Sequence, residues 1–177
     1  MPDASAAARR AALLAEEIVK GLTAQGKMIA LAESCTAGLA SDFLARVPGA
    51  SLVLWGSFVS YTAHAKTEML GVPQELIGKY GAVSREVALA MAEGALNKSG
   101  ASWAFSVTGL AGPGGDTSEG SAEISEETPI GTVWIGVAGQ TPDRPQSEAK
   151  RFYFSGSRNE VRNAAALAVL EEVMEKL

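Results

Sequence analysis

The stretch KMIALAESCTAG, residues 27–38, joins a short apolar run to a polar turn that contains glycine. Gly26 and the polar cluster that begins at Glu33 bound the apolar run, so we predict a buried strand over residues 27–32. A helix from Ser34 to Arg46 is predicted to follow, because leucine and phenylalanine side chains recur at helical spacing there. A strand that passes through a polar turn into a helix is the building unit of an open α/β sheet.

The rest of the chain continues this alternation before it changes to paired strands. The predicted elements are a helix at 5–25, the strand and helix above, a strand at 51–60 with a bulge at Gly56, helices at 63–70 and 73–79, a helix from Ser84 to about Gly100, strands at 103–107, 131–138 and 148–154, and a helix at 159–176. The last two strands are predicted to form a hairpin. This order indicates a three-layer α/β/α fold with a mixed sheet, formed by residues 1–177 as a single domain. Residues 110–129 are rich in glycine and acidic residues and are predicted to form a long flexible loop.

The composition restricts the chemistry. The chain has 177 residues, a net charge of -5, one cysteine and one histidine. An intramolecular disulfide, a zinc site of several thiolates and a multi-histidine metal site are therefore excluded, and duplex nucleic acid is a poor partner for an acidic chain. The N-terminal segment lacks the features of a signal peptide, and no window is apolar enough to span a membrane. We expect a cytoplasmic protein, and the sequence leaves open whether it forms a homo-oligomer.

Ser34 is the first candidate for chemistry because it follows a predicted strand and opens a predicted helix. Free backbone N–H groups at a helix start can bind an oxyanion or a phosphate. The alternative is that Ser34 or Thr36 only caps the helix. Cys35 is a second conceivable nucleophile, although a lone cysteine is more often a small apolar core residue.

A serine nucleophile needs a base, and the sequence offers two. His64 is the only histidine, and Lys66 follows it by two residues. A lysine with an ordinary pKa of about 10.4 is mostly protonated at neutral pH, so it serves as a base only if burial or a nearby cation lowers that pKa. A lone lysine is more often a surface residue than a base, and a single histidine is more often a surface or packing residue. Tyr61 either orients a ligand, tunes Lys66 or packs as an ordinary strand residue.

Two further glycine-bearing segments also follow predicted strands. Residues 107–115 read VTGLAGPGG, in which glycines allow the backbone to approach a ligand closely, although the spacing matches neither a Walker A motif nor a dinucleotide fingerprint. Residues 154–162 include Arg158, which can bind a phosphate or carboxylate or can lie on the surface of a helix start. If these strands are neighbours in the sheet, the three segments converge on one site.

Six sequence motifs, in order along the chain, together resemble the CinA C-terminal domain family, the nicotinamide-nucleotide amidases, over nearly the whole chain. The motifs are residues 32–36 (AESCT), 59–66 with Tyr61 and Lys66, 70–73 (LGVP), 81–84 (GAVS), 107–115 and 129–134 (PIGTVW). The resemblance implies a CinA-like α/β/α fold. It also implies deamidation of nicotinamide mononucleotide to nicotinate mononucleotide and ammonia, with no metal or cofactor required.

The resemblance also implies roles for individual residues. Ser34 is expected to be the nucleophile, Lys66 its base and Tyr61 a further catalytic residue. The expected substrate contacts are Glu33, Cys35, Thr36, Gly38, Thr108, Gly109, Ala111, Gly112 and Arg158.

The chain departs from the family pattern in three places. Ala37 stands where the family usually has a first glycine, Ala63 replaces a residue with an amide side chain, and the loop at 116–128 is longer and more acidic than usual. An alanine at position 37 is expected to be tolerated unless φ is positive there. Two alternatives to the amidase function follow: a non-catalytic nucleotide-binding or competence-associated regulatory module, and a hydrolase of another carboxamide.

Overall fold

The computed structural model describes residues 4–113, 128–140 and 145–177. The helices are α1 (Ala4–Gln25), α2 (Leu39–Ala45), α3 (Ala63–Leu70), α4 (Gln74–Tyr80), α5 (Arg85–Ser99) and α6 (Arg158–Met174). The strands are β1 (Ile29–Glu33), β2 (Leu54–Val59), β3 (Trp103–Gly109), β4 (Thr132–Gln140) and β5 (Pro145–Tyr153). A short 3-10 helix, Ala50–Leu52, precedes β2.

The five strands form one mixed sheet in the order β2-β1-β3-β4-β5. Strand β1 is parallel to both of its neighbours, whereas β4 is antiparallel to β3 and to β5. Two reversals restore the original direction, so β1, β2, β3 and β5 all end at the same edge of the sheet. The segments that follow these four strands therefore meet at this edge.

Helices cover both faces of the sheet, which confirms the predicted three-layer α/β/α fold. One apolar core lies between the sheet and helices α1, α2 and α6, and includes Ile18, Leu44 and Val169. The other lies between the sheet and helices α3, α4 and α5. Alternate residues of β1 divide between the cores: Ile29 and Leu31 enter the first, and the smaller Ala30 and Ala32 enter the second.

Small residues let helix α5 approach the sheet closely. A Cβ atom at Gly136 of β4 would lie 2.4 Å from the Ala88 carbonyl oxygen of α5, which is closer than real Cβ contacts. The Ser106 hydroxyl donates a 2.6 Å hydrogen bond to that same carbonyl oxygen and accepts one from the Gly136 N–H. This contact fixes α5 against the sheet. It also fixes the segment before α5, which lies at the edge where β1, β2, β3 and β5 end.

Most predicted elements are confirmed, and the helix predicted from Ser34 is corrected. That helix begins at Leu39, because residues 34–38 form turns in which Ala37 and Gly38 both have positive φ. The bulge at Gly56 is confirmed: Ile29 pairs with Leu54 and Ala30 with Gly56, so the ladder skips one residue.

The predicted strand at 51–60 begins only at Leu54, because the 3-10 turn occupies residues 50–52. The hairpin of β4 and β5 is confirmed as an antiparallel pair. Most of the loop predicted at 110–129 lies outside the described residues, which stop at Pro113 and resume at Thr128. Among the helices that the structure describes, none is both long enough and apolar enough to cross a membrane.

Candidate active site

A cavity of about 260 Å³ opens where the ends of the parallel strands meet. Nine residues predicted for the site line it: Ser34, Cys35, Tyr61, Lys66, Thr108, Gly109, Ala111, Gly112 and Arg158. Four others that line it were not predicted: Thr62, Ala82, Val83 and Leu110. The three glycine-bearing segments therefore converge, as expected if their strands end at a common edge.

Ser34 and Lys66 form a buried pair at this cavity. Ser34 follows β1 directly and Lys66 lies on α3, the helix that follows the neighbouring strand β2. Lys66 Nζ lies 2.9 Å from Ser34 Oγ and 3.1 Å from the Ser60 carbonyl oxygen. Only 6% of Ser34 and 1% of Lys66 is exposed. A protonated amine donates this hydrogen bond to the serine, whereas a neutral amine accepts it from the serine hydroxyl, which is the arrangement of nucleophile and base.

The structure separates the two candidate bases. His64 is exposed on the first turn of α3 and does not line the cavity. Two residues along a helix point to nearly opposite sides, so the turn that buries Lys66 directs His64 to solvent. The burial that a lysine base requires is therefore met at Lys66.

Cys35 lines the cavity but is poorly suited to act as a nucleophile. Burial raises the pKa of its thiol to about 12, although the charge of Lys66 acts in the opposite direction. The reactive thiolate is consequently scarce at neutral pH. Ser34 is the better candidate because its oxygen already contacts the amine.

Three residues predicted to contact substrate lie behind the cavity instead. Glu33 is fully buried, and its carboxylate accepts hydrogen bonds from the Thr36 hydroxyl and from the N–H groups of Gly38, Ala40 and Ser41. The Ser57 hydroxyl of β2 donates a fifth. The Glu33 carboxylate, the Thr36 hydroxyl and the Gly38 N–H bind one another and do not line the cavity, so of these three residues only Thr36 keeps a backbone N–H for a ligand.

Glu33 therefore performs the capping that the sequence suggested for Ser34 or Thr36. Carboxylates stabilise helix N-termini because they accept the N–H groups that have no partner within the helix. Ser34 is thereby left outside the cap and faces Lys66.

Two backbone amides beside Ser34 are left for a ligand. Of the eight N–H groups from Ser34 to Ser41, six donate to acceptors within the protein, among them the Ser34 N–H, which donates to the Val107 carbonyl oxygen. The N–H groups of Cys35 and Thr36 donate to no neighbouring acceptor among the residues that the structure describes. Buried N–H groups are normally paired, so two unpaired ones next to a serine form a candidate oxyanion hole.

Strand β3 is held against its neighbours at the cavity wall. The Thr108 hydroxyl donates a 2.8 Å hydrogen bond to the Ala82 carbonyl oxygen, which ties the end of β3 to the segment before α5. A Cβ atom at Gly109 would lie 2.7 Å from a Val133 methyl group, so β4 leaves no space for a side chain there. A side-chain hydrogen bond and the close approach of β4 therefore hold this wall in place.

Tyr61 and Arg158 form the rim. Both are exposed, and the Arg158 guanidinium donates a hydrogen bond to the Tyr61 hydroxyl. The aliphatic part of Arg158 lies over Gly112, where a Cβ atom would come within 3.3 Å of it. The rim thus presents a cation and a phenol to an incoming ligand. Among the described residues, no three His, Cys, Asp or Glu side chains cluster as metal ligands.

Comparison with known proteins shows the family to which the chain belongs. Residues 11–177 match the family model of the CinA C-terminal domain. The chain belongs to the CinA C-terminal domain family. It is 44% identical over 157 residues to a CinA-like protein of Anaeromyxobacter sp. strain K, and 41% identical over 165 residues to a putative competence-damage inducible protein of Caldicellulosiruptor bescii. These matches cover 89% and 93% of this chain but only 36% and 37% of the relatives, so the chain spans about a third of their length.

Solved CinA-superfamily structures have the same fold. The competence/damage inducible protein CihA from Agrobacterium tumefaciens is 38% identical and superimposes with a TM-score of 0.84, with 94% of both chains covered. A CinA superfamily protein from Escherichia coli is 29% identical with a TM-score of 0.81, covering 93% of this chain and 88% of that one. The fold assignment agrees with that of CinA proteins.

Two departures from the CinA pattern can now be located. Ala37 has a φ of +51°, which places a non-glycine residue in the left-handed region that glycine favours. Alanine was expected to be tolerated at position 37 unless φ is positive. Because φ is positive there, the alanine is strained. Ala63 begins α3, next to Thr62 of the cavity lining, and does not itself line the cavity.

Proposed function

We propose that this CinA-family chain is an amidohydrolase that deamidates nicotinamide mononucleotide to nicotinate mononucleotide and ammonia. The observation that carries the proposal is the buried contact of 2.9 Å between Lys66 Nζ and Ser34 Oγ at the cavity. The nucleotide substrate is what the family resemblance implies. The pair and the neighbouring free amides supply the chemistry that amide hydrolysis needs.

In the proposed first half-reaction, neutral Lys66 removes the proton of the Ser34 hydroxyl. Ser34 Oγ attacks the carboxamide carbon, and the N–H groups of Cys35 and Thr36 bind the resulting oxyanion. One such donor contributes about 3–4 kcal/mol to the stability of the transition state. Protonated Lys66 then gives its proton to the departing ammonia, which leaves an acyl group on Ser34.

In the second half-reaction, water replaces ammonia and the steps run again. Lys66 removes a proton from water, the hydroxide attacks the acyl carbon, and the proton returns to Ser34 as the nicotinate product leaves. The same oxyanion donors serve both halves, because the tetrahedral intermediates share one geometry.

The rim suggests how the nucleotide is oriented. The guanidinium of Arg158 suits the phosphate, and Thr108, Gly109 and Ala111, which line the cavity, would contact the ribose or the phosphate. The pyridinium ring then lies towards Lys66. Its positive charge favours the neutral form of a nearby amine, so the substrate itself supports the base.

An ammonia assay over a panel of amides tests the substrate class. The wild-type protein is expected to release ammonia from nicotinamide mononucleotide and much less from free nicotinamide, glutamine or asparagine. Turnover of another amide in the panel would favour a hydrolase of another carboxamide. Binding of the nucleotide in a calorimetric titration, without release of ammonia, would favour a non-catalytic nucleotide-binding or regulatory module.

A further inference from the structure

We infer that Arg162 is a positioning residue that orients and polarises the Thr36 N–H, one of the two candidate oxyanion donors beside Ser34. The inference rests on the proposed function, since an oxyanion hole implies attack by Ser34. Arg162 lies on α6, about one turn after Arg158, and it does not line the cavity. It therefore acts on the backbone of the nucleophile segment and does not touch the substrate.

The guanidinium of Arg162 binds two consecutive carbonyl groups of that segment. Its Nε donates to the Cys35 carbonyl oxygen at 3.1 Å, and its Nη2 donates to the Thr36 carbonyl oxygen at 3.0 Å. Its Nη1 lies 3.4 Å from the Asn159 side-chain oxygen on the same helix. A planar guanidinium with donors at fixed angles holds two neighbouring peptide groups in one arrangement, which an ammonium cannot do.

This arrangement determines where the Thr36 N–H points. The carbonyl of Cys35 and the N–H of Thr36 belong to one planar trans peptide group, so they point in opposite directions. Holding the carbonyl against Arg162 on α6 therefore turns the Thr36 N–H away from that helix. The Ser34 carbonyl accepts the Ala37 N–H at 3.0 Å, and that turn sets the Cys35 N–H in the same way.

Polarisation adds to orientation. A cationic donor on a carbonyl oxygen draws electron density through the peptide group and makes its N–H a stronger donor. Loss of Arg162 should therefore weaken the Thr36 N–H as an oxyanion donor without changing the nucleophile, the base or the rim. Loss of Arg162 should lower kcat more than it changes KM, because the ground-state contacts to the nucleotide lie elsewhere.

The kinetic test compares Arg162→Met with the wild-type protein. Methionine keeps the aliphatic length and removes the donors, so we expect kcat for ammonia release to fall about 10- to 100-fold, with KM changed less than threefold. Added guanidinium ion at low millimolar concentration should restore part of kcat in Arg162→Ala. The control is Arg46→Met, which removes a guanidinium bonded to Asp42 on the surface of α2 and should leave kcat unchanged.

A spectroscopic test does not depend on the substrate. Cys35 is the only cysteine, so protein labelled with carbonyl-¹³C cysteine and ¹⁵N threonine gives one carbonyl-to-amide NMR cross-peak, from the Cys35–Thr36 peptide group. We expect this peak to move in both its carbonyl and amide dimensions in Arg162→Met and to stay in place in Arg46→Met.

The outcomes are distinct. If the wild-type protein releases no ammonia, the proposed function fails, and the cross-peak still decides the role of Arg162. A cross-peak at the wild-type position in Arg162→Met would overturn the positioning role. So would an unchanged kcat in a folded Arg162→Met protein whose wild type is active.

Discussion

At the scale of single residues, Lys66 carries the largest share of the proposed chemistry after Ser34. Lys66→Met replaces the buried amine with an apolar chain of similar length, and we expect kcat to fall about 10²- to 10⁴-fold, the usual contribution of a general base. His64→Ala is the matched control, because His64 is exposed two residues away and should have no effect on kcat. Equal losses in both variants, measured by ammonia release, would contradict the choice of Lys66.

Cys35 offers a test by reactivity. Because its thiol pKa is raised to about 12, only about one thiol in 10,000 is ionised at pH 8. We expect iodoacetamide to leave both Cys35 and the activity intact at pH 8, and the labelling rate to rise with each pH unit up to that pKa. Fast alkylation at pH 8, followed by peptide mass spectrometry, would contradict the burial of this thiol.

Ala37 offers a test of backbone strain. Ala37→Gly should stabilise the fold by about 0.5–1 kcal/mol, because φ is positive and the side chain is exposed, so relief of strain outweighs the added freedom of the unfolded chain. The control Ala12→Gly, on an exposed face of α1, should destabilise the fold by about 1 kcal/mol. Urea unfolding measures both, and a loss of stability in Ala37→Gly would show that the segment relaxes elsewhere.

At the scale of elements, Glu33 joins the end of β1 to the start of α2. Its carboxylate accepts five hydrogen bonds, and a glutamine amide would direct donors at donors in that pocket. We expect Glu33→Gln to lower the free energy of unfolding by about 3 kcal/mol. Glu17→Gln, on the exposed face of α1, should change it by less than about 0.5 kcal/mol. Equal stability of the two variants in urea would contradict the anchoring role.

Local patterns predicted the elements better than the roles of the residues within them. Apolar spacing and Ser84, whose side chain caps α5, located the helices. The start of α2 was predicted at Ser34 but lies at Leu39, because a side chain from the preceding strand, Glu33, supplies the cap. The sequence around Ser34 does not indicate the hydrogen bonds to the Glu33 carboxylate, because they form only once the turn has folded back on β1.

At the scale of the whole molecule, strand order creates the site. The sequence predicts which strand each loop follows, but the contact between Ser34 and Lys66 depends on β1 and β2 being parallel neighbours. The rim depends on two reversals of direction that return the chain from β5 to the same edge. The resemblance to the CinA family implied Lys66 as the base, whereas the proposed role of Arg162 rests only on the packing of α6 against residues 35–36.

Because the site draws on four strand ends, ligand binding should stabilise the whole fold. With Ser34→Ala, which binds without turnover, nicotinamide mononucleotide at about 100 times its Kd should add about 2.7 kcal/mol to the free energy of unfolding. That corresponds to a rise in Tm of about 5–10 °C for a chain of this size. Free nicotinamide at the same concentration should give a smaller rise, because it lacks the phosphate. An unchanged Tm at millimolar nucleotide would contradict the proposed substrate.

The assignment of Ser34 as the nucleophile is tested most directly by the rate of ammonia release from nicotinamide mononucleotide by Ser34→Ala and Cys35→Ala, measured beside the wild-type protein. With Ser34 as the nucleophile, Ser34→Ala should lose at least about 10³-fold in kcat, and Cys35→Ala should keep most of it. Circular dichroism checks that both variants are folded. Full activity in Ser34→Ala, or loss of activity confined to Cys35→Ala, would contradict the assignment of Ser34 as the nucleophile.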